Sequence, residues 1–393
     1  MLREDQKLIS VDDHIIEHPR VWLDRLPQRF QDAAPRVVDV PLDDPVREGS
    51  DAPMQQWLFN GEIAGDSMLS CSAGIEWRDR AFQPQSFETI RRGCVDPAAR
   101  LADMDAEGVW AQVNFPNWAG FAGGRFRHCA DRELANACVA AYNDFVLDEW
   151  CPVAPDRYVP MVITPFWDGE AAADELARCA AKGAKAFSFP DNPAHLGYPS
   201  FQSDHWERLW DVAEAADLPV CMHFGSGGVK HALSDEAPMM AWTSVMGSTL
   251  SHSMVELCFS PVFHNHPDLK IVYSEGQIGW IPYFVMRMDQ VWDRYRWFRP
   301  VGKMKKRVND EIPPSELFRR HVWGCFIDDP VGVQTRELIG VDKIMFEADY
   351  PHDDSHWPTT RADIAKQLAD VPDDQVKMIV EDNARNLFNF PAR

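Results

Sequence analysis

The feature that most restricts the fold of this chain is a repeated alternation of short apolar runs with amphipathic segments. Eight of the apolar runs have the length and the β-branched or aromatic content of buried strands. They lie at residues 8–15, 109–115, 158–164, 184–190, 219–225, 269–275, 325–329 and 342–349. Helical segments such as "GEAAADELARCAAKG" fall between them. Eight strands with intervening helices predict an α/β protein of the (β/α)8 TIM-barrel class, in one domain over residues 1–393.

Two stretches interrupt this repeat. Residues 24–95 contain Pro, Gly and Trp in an order ("MQQWLFNGEIAGD") that fits neither a barrel strand nor a barrel helix. They predict an insertion after the first strand that caps the barrel mouth. Residues near 299–318, which include "RVNDEIPPSEL", predict a second and shorter insertion.

The charge of the chain argues against some classes of partner, and its apolar runs and cysteines indicate where the protein is located. The formal net charge is −22, which argues against nucleic acid or an anionic membrane as a partner. There is no apolar run of about 18 residues, and "MLREDQKLIS" lacks the apolar segment of a signal peptide. The nine cysteines are scattered without a CxxC pair, as in a protein with reduced thiols. These features together predict a cytoplasmic protein.

Side chains that bind metals stand at the ends of several predicted strands. In a TIM barrel the catalytic groups gather at the carboxyl ends of the strands, so these side chains should meet. The set is Asp12, His14, His223, Glu275 and Asp349. Two imidazoles with three carboxylates suit Zn, Fe or Mn better than Ca or Mg. The sequence therefore predicts a metal site at the barrel mouth.

The alternation of side chains along a strand separates the members of "VDDH". Asp12 and His14 are two residues apart and share a face, whereas Asp13 faces the other way and is expected to support them. Glu17 lies beyond the strand and is expected to curl back over the site. Together with Glu275 and His352, it completes the predicted catalytic groups. Asp328 or Asp329 is predicted to be a helix N-cap.

The residues in this order resemble a known family. The acid-acid-His on the first strand, the His on the fifth and "ADYP" on the eighth resemble the amidohydrolase-related family that includes the aminocarboxymuconate-semialdehyde and resorcylate decarboxylases. "RLADMDAEGVWAQV" and "NHPDLKIVYSEGQIGWIPY" resemble its connecting segments. The resemblance implies that Asp12, His14, His223 and Asp349 are metal ligands. Those decarboxylases place a His that serves proton transfer where this chain has Glu275.

That substitution favours a second resemblance. A carboxylate beside a metal tends to bind it, so Glu275 raises the expected metal count from one to two. "VDDHIIE", "SEGQIGW" and "DYPHDDSHWP" resemble a subgroup of TIM-barrel non-haem di-iron monooxygenases, one of which acts in platensimycin and platencin biosynthesis. This resemblance implies an oxidoreductase of natural product biosynthesis with two Fe ions. It would hydroxylate a bulky apolar acid, such as a diterpenoid or a CoA thioester, with O2 and a separate reductase.

Two other functions remain open from the sequence. The first is a metal-dependent decarboxylase or hydrolase with one Zn or Mn, in which Glu275 or His352 handles the proton. The second is a binding protein that a metal stabilises. The family resemblance also implies a homodimer.

Overall fold

The structure is a computed structural model that describes residues 2–47, 49–66, 71–82, 86–228, 233–297 and 311–390. Its strands in chain order are β1 (Leu8–Ile15), β2 (Arg36–Asp39), β3 (Gln55–Phe59), β4 (Glu62–Asp66), β5 (Val109–Pro116), β6 (Tyr158–Val159), β7 (Met161–Ile163), β8 (Ala186–Ser188), β9 (Val220–His223), β10 (Ile271–Ser274), β11 (Val322–Phe326) and β12 (Ile344–Phe346).

The helices surround these strands and complete the βα units. They are α1 (Pro97–Glu107), α2 (Arg132–Phe145), α3 (Gly169–Ala181), α4 (Glu207–Ala215), α5 (Met239–Met246), α6 (Leu250–Cys258), α7 (Val262–Asn265), α8 (Ile281–Tyr295), α9 (Pro314–His321), α10 (Pro330–Gln334), α11 (Arg336–Ile339), α12 (Thr360–Gln367), α13 (Asp373–Lys377) and α14 (Asn383–Leu387). Among the described residues, none of these helices is long and apolar enough to cross a membrane.

Parallel pairing closes the strands into a barrel. β1 pairs with β5 and β5 with β6, while β7 to β12 pair in consecutive order. Pro160 separates β6 from β7 because it has no N–H to give to the ladder. The last strand returns to the first where the Asp349 N–H donates to the Asp12 carbonyl at 2.8 Å. The predicted (β/α)8 architecture is confirmed.

Two apolar layers hold the barrel together. One fills its interior with side chains such as Val11, Val113, Met161 and Val272. The other lies between the outer faces of the strands and the helices and contains most of the remaining buried apolar side chains. The division follows from strand alternation, which sends neighbouring side chains to opposite faces of the sheet.

Six of the eight barrel strands lie within the predicted runs, β5 extends one residue beyond its run, and the seventh strand of the barrel is displaced. It spans Val322–Phe326 rather than 325–329, so its prediction was wrong by about three residues at each end. The chain leaves the sheet after Phe326 because the Ile327 N–H donates to the Gln277 side chain. Asp329 then caps α10 by accepting a hydrogen bond from the Gly332 N–H at 2.7 Å, which confirms its predicted N-cap role.

The first interruption of the repeat contains a small antiparallel sheet. β3 lies between β2 and β4, and the three strands stand between β1 and α1 in the chain. The sheet reaches the loop after β5 through the Ala64 carbonyl, which accepts from the Trp118 indole at 3.1 Å. Its role as an inserted cap stays a prediction. Of the second predicted insertion, residues 299–310 lie outside the described residues and 314–318 begin α9.

Helix α1 shows how local sequence fixes an element next to the barrel mouth. Asp96 caps its first turn by accepting from the N–H groups of Ala98 and Ala99, and Pro97 occupies the first helical position. Gly108 ends the helix with φ of +81°, a conformation that glycine adopts without strain. The helix presents a fully buried Arg100, which donates to the His14 carbonyl at 2.7 Å.

We expect Glu107, at the end of α1, to make stability depend on pH. Burial raises the pKa of its carboxyl to about 8, although one oxygen accepts from the Thr360 hydroxyl at 2.8 Å. The unfolded chain releases this proton near pH 4.5, so the folded state binds more protons and its stability falls as pH rises from about 4.5 to 8. Glu107→Gln keeps an acceptor for Thr360 and removes this loss. Its advantage over the wild type in free energy of unfolding, measured by denaturant titration, should grow across that interval by at most about 1.4 kcal/mol per pH unit.

The exposed Glu88 provides the matched control. Glu88→Gln should shift the midpoint equally at pH 5 and pH 8. A Glu107→Gln effect of the same size at both values would contradict the assignment.

Candidate metal centre

An irregularity in β1 aims its ligand-type side chains into the barrel. Three residue steps of β1, from Ser10 to Asp13, lie opposite two steps of β5, from Gln112 to Asn114. Such a bulge adds one residue and shifts the alternation of the side chains after it. Val11 therefore belongs to the interior apolar layer, and Asp12, the next residue, also faces inward.

The first group of donors joins three strand ends. One donor atom each from Asp12, His14, His223 and Glu275 lies within 4.8 Å of the other three. His223 Nε2 is 2.8 Å from Glu275 Oε2 and 3.6 Å from Asp12 Oδ2. His14 Nε2 is 3.4 Å from Asp12 Oδ1.

The second group shares two of these residues and adds the end of β12. It consists of His14, Glu275, Asp349 and His352, again within 4.8 Å. Asp349 Oδ1 lies 3.1 Å from His14 Nε2 and 3.2 Å from His352 Nδ1. The rings of His14 and His352 stack with centroids 3.6 Å apart. All five predicted metal ligands and His352 therefore converge on one place.

The donor atoms fit a cation. Within the described part of the chain, both carboxylate oxygens of Asp12 and of Asp349 are buried without a hydrogen-bond donor. Buried polar atoms in this state are costly unless an ion binds them. Carboxylate oxygens with imidazole nitrogens form the donor set of Zn and Mn sites.

A hydrogen bond on the far side of the ring fixes the donor atom of His223. Its Nδ1 lies 2.8 Å from the Phe224 carbonyl, which only accepts, so Nδ1 carries the proton. The lone pair of Nε2 then faces the cluster, as in most histidine ligands. Phe121 stacks on the same ring with centroids 3.7 Å apart and limits its rotation.

Two of the acidic residues sit in a backbone conformation that side chains other than glycine seldom adopt. The φ angles of Glu275 and Asp349 are +53° and +52°. Hydrogen bonds hold both turns: the Glu275 N–H donates to Glu347 Oε2 at 3.0 Å, and the Asp349 N–H donates to the Asp12 carbonyl. Strained residues of this kind concentrate at functional sites.

The shifts in the pKa values of the carboxyl groups reflect an excess of buried negative charge in the cluster. Burial, followed by the charges of Glu347 and Asp349, raises the pKa of Asp12 well above its ordinary value. Burial and the charge of Asp349 also raise the pKa of Glu275. Burial lowers the pKa of His14, which leaves it neutral and able to bind a metal. A divalent cation would favour the ionised carboxylates and the neutral imidazole.

Glu17 binds the backbone of the loop after β5. Its carboxylate accepts from the N–H groups of Trp118 and Ala119 at 2.8 and 3.0 Å, and the residue is fully buried. These bonds fix the loop that carries Asn117, whose side-chain oxygen lies 2.9 Å from His352 Nε2. Glu17 thus fixes the loop from which Asn117 contacts His352, and it belongs to neither donor group.

Two contributors to the site, Glu347 and Asn117, are not among the residues that the sequence singled out. Glu347 precedes Asp349 by two residues, so strand alternation places it on the same face, and this signal is present in "FEAD". Burial raises its pKa to about 8. Asn117 follows β5 in a loop, and no motif distinguishes it.

The sequence profile of the amidohydrolase family ("Amidohydrolase") matches residues 69–390. This chain belongs to the amidohydrolase family. It is similar to the gamma-resorcylate decarboxylase of Rhizobium sp., with 28% identity over 310 residues that cover 74% of this chain and 86% of that protein. It is also similar to the gamma-resorcylate decarboxylase of Polaromonas sp., with 28% identity over 66% of this chain and 79% of that protein.

Solved structures share the fold of this family member. An amidohydrolase from Mycobacterium avium subsp. paratuberculosis superposes with a TM-score of 0.69 at 20% identity, over 98% of this chain and 99% of that chain. A dihydroxybenzoic acid decarboxylase from Polaromonas sp., solved with bound manganese and 2-nitroresorcinol, has a TM-score of 0.60 at 18% identity, over 99% and 98% of the two chains.

These comparisons correct the expected reaction. The curated relatives are decarboxylases, so the prediction of a di-iron monooxygenase, and with it of an iron-dependent oxidoreductase, was wrong. The prediction counted Glu275 as the ligand that requires a second metal. Carboxylate and imidazole donors alone do not distinguish iron from Zn or Mn. The expected O2 and reductase belonged to that reaction and are not carried further.

We expect Asp12 and Asp13, adjacent and equally buried, to differ in their effect on metal binding. Asp12 lies in the first donor group, whereas Asp13 accepts from the Tyr350 N–H at 3.0 Å. Asp12→Asn should weaken Mn²⁺ or Zn²⁺ binding by more than tenfold, and Asp13→Asn by clearly less. Elemental analysis and titration of purified, refilled protein would measure both. Equal losses in the two variants would contradict the inward orientation of Asp12.

Proposed function

We propose that this chain is a metal-dependent decarboxylase of a hydroxy-substituted aromatic carboxylic acid, with one Mn²⁺ or Zn²⁺ per chain. The observation that carries the proposal is the buried donor cluster at the barrel mouth, in a chain whose curated relatives are gamma-resorcylate decarboxylases. Asp12, His14, His223 and Asp349 would hold the metal. When bound, the metal supplies a positive charge that attracts a substrate carboxylate and a neighbouring oxygen.

Glu275 is the group that we assign to the proton. Decarboxylation replaces a carboxylate with hydrogen, so a proton must reach the ring carbon that loses CO2. Glu275 has a side-chain exposure of 13%, whereas those of His223 and Asp349 are fully buried. It is thus the carboxyl of the cluster that faces an entering substrate. Its Oε2 lies 2.8 Å from His223 Nε2, which keeps the carboxyl directed at the centre.

His352 and Asn117 orient the opposite wall. His352 lies between Asp349 Oδ1 at 3.2 Å and Asn117 Oδ1 at 2.9 Å, so an oxygen faces each ring nitrogen. Stacking on His14 fixes the plane of the ring. We assign His352 to orienting Asp349 and the substrate, and Glu17 to holding the loop of Asn117.

The direct test is decarboxylation of 2,6-dihydroxybenzoate and other hydroxybenzoates by the whole chain. We expect loss of substrate with release of equimolar CO2 and of the corresponding phenol. Chelator treatment should abolish release, and Mn²⁺ or Zn²⁺ alone should restore it. A chain that leaves every acid intact but hydrolyses amides, esters or lactones with the same metal dependence would instead be a hydrolase.

Replacing Glu275 separates a proton role from a ligand role. Glu275→Gln keeps the shape and one oxygen but holds no acidic proton, so CO2 release should fall by about a hundredfold or more while metal content is retained. Asp354→Asn, also near the barrel mouth but outside both donor groups, is the matched control and should lower CO2 release far less. Loss of metal from Glu275→Gln would make Glu275 a ligand and remove the proton assignment.

A further inference from the structure

A second reactive feature, formed by residues of neither donor group, is a pair of adjacent cysteines. Sγ of Cys71 and Sγ of Cys94 are 3.1 Å apart, and both residues are buried. We propose that Cys71 and Cys94 form a reversible disulfide in the folded protein, with hydroperoxides as the class of oxidant. The pair is 23 positions apart in the chain and takes no part in the proposed decarboxylation.

The two sulfur atoms need to move only a short distance to form the disulfide. A disulfide has a sulfur–sulfur distance of about 2.05 Å, so closing the pair shortens the gap by about 1 Å. Cys94 ends a short helical turn, Arg92–Cys94, whose position is fixed because Arg100 donates to the Gly93 carbonyl at 2.6 Å. The segment that begins at Cys71 is fixed independently by the hydrogen bonds of the next two residues to Pro351. Two anchored backbones thus hold the sulfurs together.

A cavity gives a small oxidant access to the pair. Its volume is about 320 Å³, and its lining includes Cys71, Ile75, Thr89, Arg91 and Arg92. Hydrogen peroxide fits this space easily. The two arginines make the lining positive, and a positive environment favours the thiolate, which is the reactive form of cysteine.

The two thiols are unequal. Burial opposes ionisation of Cys94, but the hydrogen bond from Cys71 and the charge of Arg100 lower its pKa below the ordinary value overall. The same hydrogen bond, together with burial, raises the pKa of Cys71. Cys94 is therefore the thiol of the pair that ionises first, and Cys71 is the thiol at the cavity.

The chemistry balances with one peroxide. Once Cys94 is ionised, the Cys71 proton moves along the hydrogen bond to the Cys94 sulfur, and the Cys71 thiolate so formed attacks the O–O bond. The departing hydroxide takes that proton back from Cys94, which leaves a sulfenic acid on Cys71, one water and the Cys94 thiolate. The Cys94 thiolate then attacks the sulfenic sulfur, the S–S bond forms, and the departing hydroxide takes a proton to become the second water. Two thiols lose two electrons and two protons, and the peroxide gains them. A thiol reductant reverses the reaction by exchange.

The bond would connect the two loops that frame the barrel mouth. The N–H groups of Ser72 and Ala73 donate to the Pro351 carbonyl at 2.7 and 3.1 Å, two residues after Asp349. The Cys94 carbonyl accepts from the Ile16 N–H at 3.1 Å, just after β1. Oxidation would thus restrain the loop after β12 and the end of β1 together, and we expect it to raise the denaturant midpoint.

The experiment treats the reduced, folded chain with hydrogen peroxide, blocks the remaining thiols and maps the peptides by mass spectrometry. We expect a Cys71–Cys94 crosslink that is lighter by two hydrogens and forms at least about tenfold faster than oxidation at the other seven cysteines. Dithiothreitol should remove it. The denaturant midpoint should rise on oxidation and return on reduction.

Variants supply the controls. Cys71→Ser and Cys94→Ser should each abolish the crosslink and the midpoint shift, whereas Cys258→Ser, also buried, should keep both. Because the wild-type peptide map decides the question by itself, a variant that fails to fold does not obscure it. A crosslink that forms only after denaturation, or oxidation of Cys71 to sulfinic acid without a crosslink, would overturn the proposal.

Discussion

Mutual repulsion among buried acids is the constraint around which the upper end of this barrel is organised. Asp12, Glu275, Glu347 and Asp349 come from three different strand ends, and each is fully or nearly fully buried. These acids meet because the closed barrel brings the carboxyl ends of its strands onto one ring. Such a group is stable only with protons, imidazoles or a cation between the acids. His14 is neutral and Nε2 of His223 has a fixed direction, so both imidazoles can bind a cation that neutralises the acids.

The backbone is irregular at the positions that carry these acids. One extra residue in β1 turns Asp12 inward, and left-handed turns at Glu275 and Asp349 point two more acids at the same place. Each irregularity is stabilised by a hydrogen bond from another part of the site, such as the Asp349 N–H to the Asp12 carbonyl. The support is mutual, because each strand end relies on the next to keep its unusual geometry.

Much of this organisation could be predicted from the sequence, and the exceptions have physical causes. Alternating apolar runs and helices predicted the barrel because they record which faces are buried. Strand-end chemistry likewise brought together the five donors from Asp12 to Asp349. The displaced seventh strand could not be found in this way, since a side-chain contact from Gln277 ends it. The bulge depends on the register against β5 and has no signature of its own in β1.

Function was harder to predict than the site. The same carboxylates and imidazoles serve several metals, so the step from Glu275 to a second iron rested on a single residue. Glu17 illustrates a related difficulty, because a buried acid near a metal site and an acid that binds backbone N–H groups look alike in sequence. Only the fold of the loop that contains Trp118 distinguishes them.

The small antiparallel sheet between β1 and α1 is attached to this rigid centre in an informative way. Its contact with the loop after β5 runs from the Trp118 indole to a backbone carbonyl, that of Ala64. A main-chain acceptor is present whichever side chain stands at that position. The side chains of β4 can therefore change while the Ala64 carbonyl still accepts this hydrogen bond. A substitution along β4 that preserves the strand would therefore leave this hydrogen bond, and the loop that it holds, in place.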